Sequence, residues 1–156
     1  MRIPELITEK FTLRSLRESD LDELVYICTD PETVRWTTIP LNYTRDDART
    51  FLNFTQRAAA AGRELTWAID NSRVLAGIVT LRLPGGSANA PGTHANLGFY
   101  TAPQMRGRGI MTDAVRTVLG FSFDPFGLGL DTIGWAALVG NAASSKIGRA
   151  SCRERV

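Results

Sequence analysis

The chain has 156 residues, of which 44% are hydrophobic and 22% charged, the balance of one compact, soluble domain. Its longest apolar runs, such as Trp135–Val139, are too short to span a bilayer, and the N-terminus has no stretch of signal-peptide type, so a cytoplasmic protein without a membrane partner is expected. The formal charge of +2 belongs to the last ten residues: without Arg149, Arg153, Arg155 and Glu154, 15 basic and 15 acidic residues remain, and a neutral body argues against a nucleic-acid partner.

In chain order, Phe11–Leu13 predicts a short strand. Ser19 offers an N-cap, with Asp20, Asp22 and Glu23 in the first turn of a helix reaching about Cys28. Asp30-Pro31 should end that helix, because a residue before proline is pushed out of helical geometry. Thr44 caps a second helix with Asp46 and Asp47 in its first turn. Ala48, Phe51, Leu52 and Thr55 form its apolar stripe, and Gly62 marks its end. Thr66–Ile69 predicts a strand, Asp70–Ser72 a turn, and Val74–Leu83 a longer strand. Pro84 through Gly92 reads as a loop. Ala95–Thr101 is a further strand, with Ala95, Leu97 and Phe99 alternating against Asn96, Gly98 and Tyr100. Pro103 breaks it. A helix from near Ile110 to about Phe123 carries Ile110, Ala114, Val118 and Phe121 on one face, and Asp124-Pro125 stops it. Thr132–Val139 is the next strand, and Gly140-Asn141 opens one more helix. The pattern is α/β with a mixed sheet in a single domain.

Cys28 continues the helical set Leu21, Leu24, Val25 and reads as a small buried hydrophobe. Neither it nor Cys152 has zinc-ligand spacing. The single histidine, His94, lies in a Gly/Pro-rich stretch. No metal site is expected.

The chemistry concentrates in Gln104-Met-Arg-Gly-Arg-Gly109, between a strand and a helix. A helix N-terminus leaves its first N–H groups unpaired and partly positive. Gly107 and Gly109 let the backbone approach a ligand closely, and Arg106 and Arg108 add positive charge. Together these make a cradle for a pyrophosphate. The loop lacks the Gly-Lys-Ser/Thr ending of nucleotide hydrolases and the three glycines of dinucleotide folds. The plainer alternative is a strand–helix turn with two solvated arginines. Valine at 107 should block ligand approach, and valine at 109 should clash at the helix start.

The stretch from Leu97 to Val115 resembles the acetyl-CoA motif of the GNAT superfamily of N-acetyltransferases, Gln/Arg-x-x-Gly-x-Gly/Ala. It is most similar to the ribosomal-protein N-terminal acetyltransferase branch. Thr12–Leu21 resembles that branch's first strand and helix, and Ala137–Ser144 its junction between the fifth strand and fourth helix. The resemblance covers roughly residues 8–146. It implies a mixed, mostly antiparallel sheet flanked by helices, and an enzyme transferring acetyl from acetyl-CoA, its co-substrate, directly to a primary amine. It implies that backbone groups of Phe99, Tyr100 and Thr101 bind the pantetheine arm, and that the loop Gln104, Met105, Arg106, Gly107, Arg108, Gly109 and Ile110 binds the pyrophosphate. It further implies that Asn141 binds the pantetheine end, that Ser144 donates a proton to the departing thiolate, and that Arg35 and Trp36 help build the acceptor pocket. For Trp36 core packing is the competing reading. Asn96 stands where many relatives carry Glu and cannot serve as base. Glu23, Glu32 and Glu64 read as solvated surface, so the general base is unassigned.

After Lys146 a relative would continue its fourth helix and add two strands. Ile147–Val156 has no helical stripe and is similar to the in-frame translation of a sequencing-library adapter. The expectation is therefore an incomplete domain over residues 1–146, lacking the last strands, and an artefactual tail over 147–156. A non-catalytic CoA-binding domain or inactive fragment is the alternative function. The acceptor, a small molecule or peptide, is left unspecified, and a homodimer is left open.

Overall fold

A computed structural model of the chain describes residues 1–37, 39–84 and 94–135. Six strands form one sheet in chain order: β1 (Leu6–Ile7), β2 (Thr12–Ser15), β3 (Glu64–Asn71), β4 (Val74–Arg82), β5 (Ala95–Thr101) and β6 (Ile133–Trp135). All neighbours are antiparallel except β5 and β6, which run parallel. Four helices flank the sheet: α1 (Leu21–Cys28), α2 (Pro31–Trp36), α3 (Arg45–Ala60) and α4 (Ile110–Phe123). This is the mixed, mostly antiparallel sheet with flanking helices that the family resemblance implies.

Strand alternation divides the core in two. Leu13, Leu65, Trp67, Ile69, Val79, Leu81 and Leu97 face α4, whose Ile110, Met111, Ala114, Val115, Val118 and Leu119 cover them. Trp67 is fully buried there, its Nε1 donates to the Pro4 carbonyl at 2.9 Å, and its ring meets Phe121 edge-on at 6.2 Å. Ala68, Ile78 and Leu75 face the other way, toward Leu21, Leu24 and Ile27 of α1 and Ala48 and Leu52 of α3.

The capping signals of α3 hold. The Thr44 side chain accepts from the Asp47 amide while Asp47 accepts from the Thr44 amide, a reciprocal capping box. The first helix differs. A 3-10 turn over Glu18–Asp20 precedes it, and α1 starts at Leu21 with Asp20, not Ser19, at the cap position. The Asp20 carboxylate does not serve that helix. It grips the Arg14 guanidinium in a fork at 2.8 Å on each arm and accepts the Arg17 amide at 2.9 Å.

Asp30-Pro31 ends α1, but it also starts the unforeseen α2. Asp30 is extended, as a residue before proline should be. Its carboxylate accepts the Thr33 amide, and Pro31 sits at the first helical position, where a missing N–H costs nothing. The β3–β4 turn centres on Ser72 and Arg73, with φ of 52° and 68°, one residue later than Asp70–Ser72. Both central residues are left-handed, as a two-residue hairpin requires. β1 was not foreseen, and the strand read as Phe11–Leu13 is Thr12–Ser15. β5 and α4 have the expected bounds. The rest of the strand Thr132–Val139 beyond Trp135, most of the loop after Pro84, the helix start at Gly140-Asn141 and the segment 147–156 lie outside the described residues.

Candidate functional site

β5 ends at Thr101, and Ala102 turns the chain by donating its amide to the Ala76 carbonyl at 2.8 Å. A 3-10 turn over Pro103–Met105 follows. Gly107 and Gly109 then take φ of 76° and 74°, and Gly109 sits at the N-cap of α4 without any side-chain cap. The first bond closing the helix runs from the Asp113 amide to the Gly109 carbonyl. Among the described residues nothing accepts from the six amides of Gly107 to Thr112. Such a run of donors at a positive helix end suits an anion.

No atom lies within 4 Å of where a Cβ would stand on either glycine. Open space beside Gly107 fits a ligand lying against the backbone. For Gly109 it corrects the expectation of a clash: a valine there meets no protein atom, and its cost is the left-handed backbone.

The two loop arginines differ. One Arg106 nitrogen, Nη2, donates to Asp30 Oδ2 at 2.8 Å and to Thr33 Oγ1 at 2.9 Å, which ties the loop to the start of α2. Burial acts on Asp30 in the opposite sense, but the Arg106 hydrogen bond and the Thr33 amide hold its carboxyl below the usual range. Arg108 is exposed and forms no ion pair with a described residue, so its charge is available to a ligand. Gln104 is exposed and Met105 half-buried; Met105 packs against both core clusters.

A cleft of about 790 Å³ opens on the α3 side of β5, a size usual for small-molecule sites. Its floor is the sheet. Glu64, Arg82 and Asn96 stand opposite one another across β3, β4 and β5, followed by Thr66, Thr80 and Gly98, then Ala68, Ile78 and Tyr100. Of these, Glu64, Thr80, Arg82, Asn96, Gly98 and Tyr100 line the cleft, with the charged side chains at one end. Trp36, Phe51 and Phe54 contribute aromatic walls. β6 pairs with Ala95–Leu97, and among the described residues no strand pairs with Gly98–Thr101 on that side. The backbone of Phe99, Tyr100 and Thr101 there fits the role implied for it.

Cys28, Tyr43 and Tyr100 meet at the apolar end. Burial pushes the Cys28 thiol up to about 11, against hydrogen bonds to Tyr100 and Tyr43 that work the other way. Burial also raises both phenols above their ordinary value. All three therefore stay neutral at physiological pH, and Cys28 is the buried residue expected.

Of the acceptor-side residues, Trp36 lines the cleft and donates Nε1 to Glu32 at 3.1 Å. Arg35 is exposed, with its guanidinium 4.6 Å from the Trp36 ring centre, a cation–π contact. Asn141 and Ser144 lie outside the described residues.

The three glutamates read as solvated surface part ways. Glu32 is exposed. Glu23 accepts the Leu75 amide at 2.8 Å. Glu64 lines the cleft, with its side chain 11% exposed and its carboxylate 3.5 Å from Arg82 Nε. The sequence signal was the alternation Glu64, Thr66, Ala68 against Leu65, Trp67, Ile69, which puts Glu64 on the sheet face opposite the large hydrophobes. No group of three His, Cys, Asp or Glu side chains among the described residues is placed to hold a metal ion. No described helix is long and apolar enough to cross a membrane.

No curated protein sequence matches the chain significantly. Solved structures do. A GNAT-family acetyltransferase from Bacillus anthracis superposes with a TM-score of 0.80 at 16% identity, over 97% of this chain and 84% of that one. The microcin self-immunity acetyltransferase MccE, solved with acetyl-CoA and AMP, gives 0.77 at 16% identity over 92% and 78%. RimL, a ribosomal-protein alpha-N-acetyltransferase solved with coenzyme A, gives 0.76 at 15% identity over 94% and 81%. At these identities the likeness establishes the fold, while the acetyltransferase (GNAT) domain pattern matches residues 10–151, and the chain belongs to that family.

Proposed function

We propose that the chain is an acetyl-CoA-dependent N-acetyltransferase acting on a primary amine by direct transfer. The observation that carries this is the run of six amides, Gly107 to Thr112, without an acceptor among the described residues, in the loop that follows β5, a strand that itself lines the cleft. MccE and RimL, which share the fold, are solved with acetyl-CoA and with coenzyme A.

The loop amides and Arg108 hold the pyrophosphate through charge-assisted bonds. The edge of β5 from Phe99 to Thr101, which no described strand pairs on that side, receives the amide groups of the pantetheine arm as a strand would receive another strand. Bound in this way, acetyl-CoA supplies an activated thioester. The cleft brings an amine to it and excludes bulk water, and most of the rate comes from holding the two in line. Asn141 and Ser144 keep the roles the family resemblance gives them, at the pantetheine end and at the leaving thiolate.

Coenzyme A at millimolar concentration should raise the melting temperature, because a ligand that binds only the folded state stabilises it. Gly107→Val should weaken coenzyme A binding by roughly tenfold or more, since it fills the space the ligand needs. Arg106→Ala should weaken it less, because that guanidinium is already engaged by Asp30 and Thr33. Equal coenzyme A affinity in Gly107→Val and the parent chain, measured by calorimetry, would overturn the loop assignment.

A further inference from the structure

We propose that Glu64 is the acceptor-side carboxylate of the cleft: it holds the ammonium group of an amine carried on an apolar body and takes up its proton as transfer begins. The inference rests on the acetyltransferase reading above and names the acceptor class and the residue that receives it.

Glu64 has a demand that the described residues leave unmet. The Glu64 side chain is 11% exposed, yet no described residue donates a hydrogen bond to it. The nearest cation, Arg82 Nε, stands at 3.5 Å, and the Arg82 side chain is 57% exposed. A carboxylate withdrawn from water without donors is costly to keep. An ammonium brings three N–H donors and the opposite charge.

The surroundings say what carries that ammonium. Trp36, Phe51 and Phe54 line the same cleft, and they suit an apolar or aromatic body better than a polyamine or a charged sugar. Arg82 disfavours a second positive charge at the floor. Glu64 lies in one cross-strand row with Asn96, so it is two strands, about 10 Å, from β5. That gap, and one further strand spacing to a thioester on the outer edge of β5, is spanned by the Glu64 side chain, an amine nitrogen and water between them.

The proton balance is simple. The ammonium passes one proton to the Glu64 carboxylate, directly or through that water, and gains a lone pair. The nitrogen attacks the thioester carbonyl, the C–N bond forms, and the C–S bond breaks with its electron pair on sulfur. The second nitrogen proton goes to the thiolate. The products are an amide, a free thiol and a protonated Glu64 that returns its proton to solvent. Glu64 thereby does the work that Asn96 cannot do.

The test titrates the coenzyme A-loaded chain with phenethylamine, methylamine and the neutral isostere 2-phenylethanol, read by tryptophan fluorescence from Trp36 and Trp135 at the cleft. Thiol release from acetyl-CoA with phenethylamine runs in parallel. Phenethylamine should bind more tightly than either comparison probe. Glu64→Gln should lower its affinity and its kcat/KM by roughly tenfold or more, leaving coenzyme A affinity and 2-phenylethanol binding unchanged. Glu64→Asp should recover part of the loss. Intact coenzyme A binding with equal amine affinity in Glu64→Gln and the parent overturns the proposal. So does a parent chain that binds no amine or prefers the alcohol. Loss of coenzyme A binding in the parent itself overturns the loop reading instead.

Discussion

The two ends of β3 each carry an acid, and the chain treats them differently. At one end Asp70 accepts Arg14 Nε at 2.9 Å, the Arg73 amide at 3.0 Å and Arg17 Nη2 at 3.4 Å, while Arg14 also forks onto Asp20. At the other end Glu64 has one arginine at 3.5 Å and no hydrogen bond from a described residue. The first end is closed: every demand is met inside the molecule, and the result locks β2, β3 and the start of α1 together. The second end is open toward a cleft. Burial alone does not separate a structural charge from a functional one; the number of demands met within the chain does.

Removing the closed end's cation should have the largest effect. Arg14→Ala leaves Asp20 and Asp70 without their partner, and breaking a buried pair in this way typically costs about 3–5 kcal/mol. Urea unfolding at pH 7 should show a loss of that order. A loss below about 1 kcal/mol would mean that water reaches the network and the contrast between the ends is false.

The next effect sharpens the comparison by pH. Hydrogen bonding from Arg14 holds the Asp70 carboxyl below the usual range, against the effect of burial. A depressed folded-state pKa contributes stability that is complete above the unfolded value and is lost as pH falls through the folded one. Asp70→Asn should therefore be less stable than the parent at pH 7, and the gap should narrow below about pH 4. Urea midpoints from pH 2 to 8 check this, and a constant gap would remove Asp70 from the acid limb.

The smallest effect is expected at the open end. Glu64→Gln removes a charge whose partners are incomplete, so unfolding stability should change by less than about 1 kcal/mol, or rise. A loss matching that of Arg14→Ala would make Glu64 a second structural acid.

Where local chemistry decides, the sequence was readable. Thr44 with Asp47, the Pro103 break and the Ile110 start of α4 all rest on rules that act within four residues. Pro31 shows the limit of such a rule: it correctly ended one helix, but the same proline begins another because Asp30 caps it. Ser19 lost its cap role to a distant partner, since Arg14 organises the turn around Asp20. Glu64 was misread for the same reason. Its setting depends on register with Arg82 and Asn96, residues 18 and 32 positions along the chain, and strand register is set by whole-sheet packing. The loop was legible because its glycines, arginines and helix start are contiguous. The cleft was not, because its walls come from α1, α2, α3 and four strands.

The sheet's strand order has a consequence for how the molecule is made. Its six described strands lie side by side in the order in which the ribosome delivers them. Each newly synthesised strand can add to the edge left by the previous one, and none has to be threaded between neighbours already joined. The β3–β4–β5 meander, which floors the cleft, is built from near-neighbour pairings that form with little loop-closure cost. The parallel addition of β6 must wait for α4 to cross over. Nascent chains should therefore hold the β3–β5 floor of the cleft in place before β6 arrives.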